Sequence, residues 1–320
     1  MFEREYKVTF VGPLRKQCEQ FVRQKQSLGL KYKTEAYVMS CFDRFLLNNG
    51  APENCLPREL AIEFAAKKDD ESSKSFSNRA SLIRQFGEFM MNMGYDSYIL
   101  PPFHIVKSSF VPYIYTHREL MLIFTELDRL KPRYTSGITH KIYPVLFRVL
   151  YCCGLRINEA LKLKVSDVDL DDGVFIIKNA KWNTERLVPM SVSLKALCRK
   201  YFNEIHSSGN HNYFFPAKDG GFICSGYLLQ WFKGILRKCN IADTARIHDV
   251  RHTYAVHTLN QWANEGKDIY VCLPLLSKYM GHKSIVGTEH YLRLTAEVHP
   301  EVARIFEDNF GGVIPEVNIF

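Results

Sequence analysis

The chain has 320 residues, 46% of them hydrophobic and 24% charged, and a formal net charge of +8. That size exceeds one small core and fits about two domains, and the composition excludes disorder. No stretch approaches the roughly 20 apolar residues that span a bilayer. The start, MFEREYKVTF, lacks the apolar core of a signal peptide, so a cytoplasmic protein without membrane contact is expected. The mild positive balance suits a polyanionic partner, although solubility alone would explain it.

Four helical patterns come first. Pro13 suits a first helical position, and Leu14, Cys18, Phe21 and Val22 recur at helical spacing until Gly29. Thr34 is placed to cap a second helix through Tyr37, Val38, Cys41, Phe42, Phe45 and Leu46, stopped by Asn48-Asn49-Gly50. Pro57 opens a short third helix through Leu60, Ile62 and Phe64. The charged loop KKDDESSKS leads to a fourth, with Leu82, Ile83, Phe86 and Phe89 on one face and Gly94 at its end. Strand signals are too few for anything but a small all-α bundle, expected over residues 1–105. The segment YILPPFHIVKSSFVPY, with its prolines and no helical period, marks a boundary, and residues 106–320 are expected to form the second domain.

There, Thr116-His117-Arg118-Glu119 makes a capping box ahead of Leu120, Leu122 and Ile123. A helix through Tyr143, Val145, Leu146, Val149 and Leu150 ends at Gly154, just before Arg156. Short strands follow at 165–170, 174–177 and 186–188, joined by Asp171-Asp172-Gly173 and by the turn in FIIKNAKWNTERLVPM. Helices resume over 194–205, over 227–239 and through IHDVRHTYAVHTL. KDIYVCLPLLSKYM reads as a long turn, with Pro274 near the start of a helix bearing Leu275, Leu276 and Tyr279. A last amphipathic helix through Val302, Ile305 and Phe306 precedes Gly311-Gly312 and the apolar segment VIPEVNIF. The expected fold is mainly α, with a small antiparallel β-sheet in an α+β second domain. Nine scattered cysteines, odd in number and without C-x-x-C, read as buried reduced thiols.

The chemistry-bearing residues gather late. His248, Arg251, His282 and Tyr291 lie between Ile247 and Leu294, with Arg156 upstream in GLRINEAL and Lys181 in the hairpin turn. Each has an ordinary reading: a half-buried tyrosine, arginines pairing with Glu159 or Asp169 or facing solvent, a solvated lysine. Together they suit an attack on phosphate. A phenol of pKa about 10 becomes nucleophilic only where cations stabilise its anion. Two planar guanidiniums can grip the equatorial oxygens of a phosphodiester and stabilise the charge it gains. A lysine in the turn can protonate the departing oxygen, a role for which Lys178 and Arg186 compete with Lys181. His248 and Arg251, three apart, share a helix face. His252, four from His248, raises a metal pair, but HDVRH is not H-E-x-x-H and no third ligand is marked; it reads as packed or hydrogen-bonded. No Walker lysine, dinucleotide fingerprint or G-x-S-x-G occurs, so neither cofactor nor metal is expected.

GLRINEAL, a lysine in a hairpin turn, HDVR, and Gly281-His282 followed nine residues later by Tyr291 resemble the tyrosine recombinase (phage-integrase) family. The match runs from about Phe110 to Ala303. The N-terminal helices resemble the family's DNA-binding core-binding domain only in size and helix count. The resemblance implies a site-specific recombinase that cleaves and rejoins double-stranded DNA through a 3′-phosphotyrosine. Carried onto this chain, Arg156 and Arg251 clamp the phosphate, Lys181 is the general acid and His248 is a proton acceptor or phosphate ligand. His282 hydrogen-bonds the phosphate, Tyr291 attacks it, and Glu159 supports the site. It also implies a homo-oligomer, a dimer on one site and a tetramer in the synaptic complex. The apolar segment at 313–320 would either fold back or pass into a neighbouring protomer. A type IB topoisomerase would share the chemistry without exchanging partners; a non-enzymatic DNA-binding relative should have lost one of these six residues, and all six are present.

Overall fold

Apolar side chains at helical spacing draw four helices around one core in the N-terminal unit. They are α1 (Arg15–Ser27), α2 (Lys33–Asn48), α3 (Arg58–Ala65) and α4 (Ser73–Asn92). The computed structural model describes residues 8–102, 111–132, 137–178, 185–207, 211–282, 284–285 and 287–292. The chain divides into two units, Phe2–Phe110 and Val111–Phe320, each with its own apolar core. In the first, the Phe21 ring sits 5.5 Å from Phe86 and 5.4 Å from Phe89, centroid to centroid, and Phe42 closes against Phe86 at 6.1 Å. Buried Asp43 accepts from the backbone N–H of Val11 (2.7 Å) and Gly12 (2.6 Å), tying the lead-in of α1 to α2.

Three details of this unit depart from the sequence reading. A two-residue parallel pair, β1 (Cys55–Leu56) with β2 (Asp96–Ser97), joins the helices. α2 starts after Tyr32, whose backbone is left-handed, so Thr34 lies inside the helix and caps nothing. α1 begins at Arg15, two residues beyond Pro13; helix ends carry that much latitude.

The second unit is built on α6 (Thr139–Cys153), which is buried along most of its length. Before it stands α5 (His117–Asp128), opened by the expected capping box: Thr116 Oγ1 accepts from Glu119 N at 3.2 Å, and Glu119 Oε2 accepts from Thr116 N at 2.8 Å. After it come the one-turn helix α7 (Ile157–Leu161), then β3 (Val168–Asp169), β4 (Val174–Ile177) and β5 (Arg186–Pro189) in one antiparallel sheet, order β3-β4-β5. Then follow α8 (Val192–His206), α9 (Ser225–Lys238), α10 (Ile247–Asn264), α11 (Ile269–Met280) and a short helix α12 over 287–292. α5, α8 and α10 all pack on α6. The fold class is as expected, mainly helical with one small antiparallel sheet.

Strand register places one charge where alternation alone would not advertise it. Phe175 pairs with Val188 and Ile177 with Arg186. Directly opposed residues share a face, and Phe175, Ile177 and Val188 are all buried, so Arg186 also turns inward. The expected first strand, 165–170, shrinks to Val168–Asp169, because Val165–Asp167 coil into a 3₁₀ turn. Asp167 holds that turn by accepting from Lys164 N (3.3 Å) and Lys178 Nζ (2.7 Å), local bonds that compete with a ladder.

α11 is the larger correction. It starts at Ile269, not near Pro274, because Asp268 caps it by accepting from the N–H of Tyr270 (2.8 Å) and Val271 (3.4 Å). Proline inside a helix costs about 3 kcal/mol; the burial of Ile269, Leu273, Leu276 and Met280 along one face offsets it. The cysteines are all free, but only Cys18, Cys153 and Cys198 are buried. Consecutive residues of a helix point about 100° apart, so Cys152 is exposed at the edge of the face that buries Cys153. The turn carrying Lys181 (179–184) and the whole of 293–320, with Val302, Ile305, Phe306 and Gly311-Gly312, lie outside the described residues.

Gly154 ends α6 in the left-handed conformation (φ +57°), and a Cβ there would lie 2.3 Å from the Tyr254 ring. Gly154→Ala is therefore expected to cost at least the roughly 1–2 kcal/mol of a left-handed non-glycine residue, with the ring clash added. Urea unfolding checks it: a midpoint unchanged from the native chain would refute this reading of the turn.

Candidate active site

Every helix leaves its last carbonyls without intrahelical partners, and they carry the negative end of the helix dipole. At the end of α11 three consecutive carbonyls are filled by three arginines from distant parts of the chain. Tyr279 O accepts from Arg186 Nε (2.9 Å), Met280 O from Arg251 Nη2 (2.6 Å) and Gly281 O from Arg156 Nη2 (3.1 Å). Gly281 makes this geometry possible. It caps α11 with φ +67°, and a Cβ there would meet the Arg186 guanidinium at 2.9 Å. Arg251 also donates through Nη1 to Gly154 O at 2.5 Å, so its guanidinium bridges the C-termini of α6 and α11. This explains how Arg251 stays charged while only 3% exposed. Burial, then the nearby Arg156 charge, bring its pKa to about 10, still above neutrality.

Glu159 supplies the counter-charge. It stands on α7, one turn after Arg156, and both its oxygens are shared. Arg156 donates to it through its backbone N (2.9 Å) and Nη1 (2.8 Å), and Arg186 through Nη1 (3.1 Å) and Nη2 (2.7 Å). Burial pushes this carboxyl up, but the bonds and charges of Arg186 and Arg156 outweigh it and hold the pKa at about 2. Three guanidiniums against one carboxylate leave a surplus of two positive charges in the cluster. A cleft of about 610 Å³ opens beside it, lined by Arg156, Glu159, Lys164, Lys178, Tyr213 and His248.

The histidines have distinct states. His282 Nε2 faces Arg251 Nη2 at 3.0 Å, and His282 Nδ1 faces Thr288 Oγ1 at 2.7 Å. Arginine only donates, so Nε2 is the acceptor and the ring proton sits on Nδ1. Burial, then Arg251 and Arg156, bring the His282 pKa to about 4, which keeps it neutral. In this state it orients Arg251. His248 is exposed at the cleft, with its pKa lowered by crowding protein and by Arg251. Tyr291, on α12, is 3% exposed and packs with Ala255, Val256 and Leu259 of α10. Its hydroxyl lies 3.1 Å from His252 Nδ1. Burial raises the phenol pKa, and the charges of Arg251 and Arg156 oppose that rise without cancelling it. Among the described residues no group of three or more His, Cys, Asp or Glu stands together to hold a metal.

Five of the six residues picked from the sequence thus converge: Arg156, His248, Arg251, His282 and Tyr291. Lys181 lies outside the described residues. Of its competitors, Arg186 is locked onto Glu159 and the Tyr279 carbonyl, and Lys178 is paired with Asp167 at 2.7 Å. Sequence reasoning missed the clamp made by Arg186, which the pairing of period-two β4 and β5 could have disclosed. It also missed Thr288 and the contact of His252 with Tyr291, for which no local pattern exists.

Residues 116–297 match the phage integrase family, more than half of the chain. The chain belongs to the phage integrase family. These are the tyrosine-type site-specific DNA recombinases. This integrase-family chain is 27% identical, over 311 residues, to a Sinorhizobium fredii protein that carries an integrase/recombinase designation; the match covers 93% of this chain and 98% of that one. It is 25% identical to the tyrosine recombinase XerC of Staphylococcus epidermidis over 261 residues, 76% of this chain and 82% of the relative. Its fold is similar to that of the Tn1549 transposon integrase solved with transposon right-end DNA. That likeness has a TM-score of 0.65 at 18% identity, covering 92% of this chain and 99% of the other. No helix among the described residues of this recombinase is long and apolar enough to cross a membrane.

Glu159 yields a stability prediction. Its folded pKa lies below the ordinary 4.5, so its contribution is full above pH 4.5 and is lost as pH falls from there toward 2. Glu159→Gln removes the counter-charge of half-buried Arg156 and Arg186 and should cost on the order of 3 kcal/mol at pH 7. The variant's stability should also decline less steeply than the native chain's below pH 4.5. Denaturant unfolding at pH 7 and pH 3.5 measures both, and parallel pH profiles would contradict the assignment.

Proposed function

We propose that this chain cleaves and rejoins double-stranded DNA through a 3′-phosphotyrosine. Arg156 and Arg251 clamp the scissile phosphate, Lys181 protonates the leaving 5′ oxygen, His248 serves the phosphate directly, and His282 serves it through Arg251, which it orients. Tyr291 is the nucleophile. The observation that carries this reading is that the Tyr291 phenol feels the charges of Arg251 and Arg156, which belong to a cluster whose positive charge exceeds its one carboxylate. A phosphodiester supplies the missing negative charge, and the clamps strengthen as its equatorial oxygens gain charge in the transition state. The phosphotyrosine conserves the bond energy, so rejoining requires neither nucleotide nor metal. Exchange between two sites requires several protomers, a dimer on each site and a tetramer in synapsis.

The test is covalent trapping. Nicked duplexes made from the DNA flanking the gene should yield a protein–DNA adduct in excess chelator. Tyr291→Phe should keep the fold and DNA binding, losing about 1 kcal/mol for one hydrogen bond, and form no adduct. An adduct from the phenylalanine variant would place the nucleophile elsewhere, and strict dependence on Mg²⁺ would refute the mechanism.

The general acid has its own assay. A 5′-bridging sulfur at the scissile bond leaves as a thiolate and needs no proton. Lys181→Ala should be slow on normal DNA, by roughly 100-fold or more, and largely restored on the sulfur substrate. Equal slowing on both would move the acid role to Lys178.

A further inference from the structure

Attack by Tyr291 requires that its proton go somewhere. Most groups near the hydroxyl are already committed. His282 accepts from Arg251 at Nε2 and donates to Thr288 at Nδ1. Arg251 and Arg156 only donate, and both oxygens of Glu159 are held by arginines. His248 faces the cleft beside Arg156 and Lys178. His252, one helical turn further along the same face of α10, meets the phenol: its Nδ1 is 3.1 Å from the phenol oxygen, and its ring stands perpendicular to that of His248 with centroids 5.0 Å apart.

We propose that His252, not His248, is the proton acceptor for Tyr291. This rests on Tyr291 being the nucleophile. In the forward step the phenol proton passes to His252 Nδ1 while the phenolate pair forms the Oη–P bond. The P–O5′ bond breaks, and O5′ takes a proton from the general acid. In rejoining, the incoming 5′ hydroxyl returns its proton to that acid as it attacks. The Oη–P bond breaks, and the departing phenolate recovers its proton from His252. The cycle is proton-neutral.

The surroundings support a base that acts only with substrate in place. Burial first, then the charges of His248, Arg251 and Arg246 on its own helix and of His290 on α12, bring the His252 pKa to about 3. The ring is therefore neutral; with its proton on Nε2 it presents the Nδ1 lone pair to the phenol, and the surrounding positive field suppresses its basicity. A phosphodiester between Arg156 and Arg251 cancels part of that positive field, raising the basicity of His252 and lowering the barrier to proton transfer at the moment the substrate is bound.

The experiment measures single-turnover adduct formation on the nicked flanking-DNA duplexes, with DNA binding followed by gel shift. Both His252→Ala and His252→Asn should slow the adduct step by roughly 100- to 1,000-fold with binding retained. Asparagine keeps a hydrogen-bonding atom near the Nδ1 position but cannot take the proton, so it separates a base from a mere holder. Replacing Tyr291 with 3,5-difluorotyrosine acidifies the phenol and should restore most of the rate in the His252 variants. It should do nothing comparable for His248→Ala. A His252→Asn variant within about tenfold of the native rate would overturn the proposal. So would fluorotyrosine rescue of His248→Ala in place of the His252 variants. Absence of any adduct from the native chain would instead overturn the recombinase mechanism, and this assignment with it.

Discussion

The end of α11 is the point on which the site depends. Three successive carbonyls, Tyr279, Met280 and Gly281, each receive a guanidinium, from β5, α10 and the start of α7. A helix C-terminus is one of the few neutral places in a protein where several cations can be gathered, because its carbonyls are unpaired and their dipoles align. Carboxylates would gather arginines more strongly, but they would also neutralise them. Among the described residues only Glu159 does so, and the cluster keeps positive charge for a phosphate to meet. Gly281 is indispensable to this arrangement twice over, for its left-handed backbone and for the room it leaves Arg186.

The same field sets the protonation of everything around it. His282 and His252 are driven to pKa values of about 4 and 3, so both are neutral and each presents a lone pair. The lone pair of His282 is fixed on Arg251, and Nδ1 of His252 meets the Tyr291 hydroxyl. Two imidazoles in one electrostatic environment thus acquire different tasks from which neighbour each ring nitrogen meets. For the phenol, burial outweighs the cations, which keeps it protonated.

What could be read from the sequence was local. The end of α6 at Gly154, the Thr116–Glu119 box and the β4–β5 hairpin follow from periodicity and turn chemistry within a few residues, and they stand as expected. The spacing of Gly281, His282 and Tyr291 likewise carried the family resemblance. The start of α11 was misread because Pro274 ordinarily opens a helix, and only the buried face from Ile269 to Met280 shows that it need not. The cluster itself joins residues 125, 93 and 29 positions apart through backbone carbonyls. Any residue offers a carbonyl, so no side-chain pattern records that Tyr279 and Met280 are acceptors. The inward turn of Arg186 depended on register, and His252 on a helix 39 residues away.

The donors left over define what the clamps can still do. A guanidinium has five N–H groups. Arg251 uses three, on Gly154 O, Met280 O and His282 Nε2, so two remain outside those bonds. Arg156 uses two side-chain donors, on Glu159 and Gly281 O, so three remain. Both are therefore fixed in place by part of the fork while the rest stays outside those contacts. That division suits recognition of a tetrahedral phosphate better than a fully exposed arginine would, because the orientation of each plane is settled before the ligand arrives and little rotamer freedom is lost on contact. It also explains why lysine would be a poor substitute at 251: one ammonium cannot span the two helix ends and still offer a planar pair of donors to oxygen.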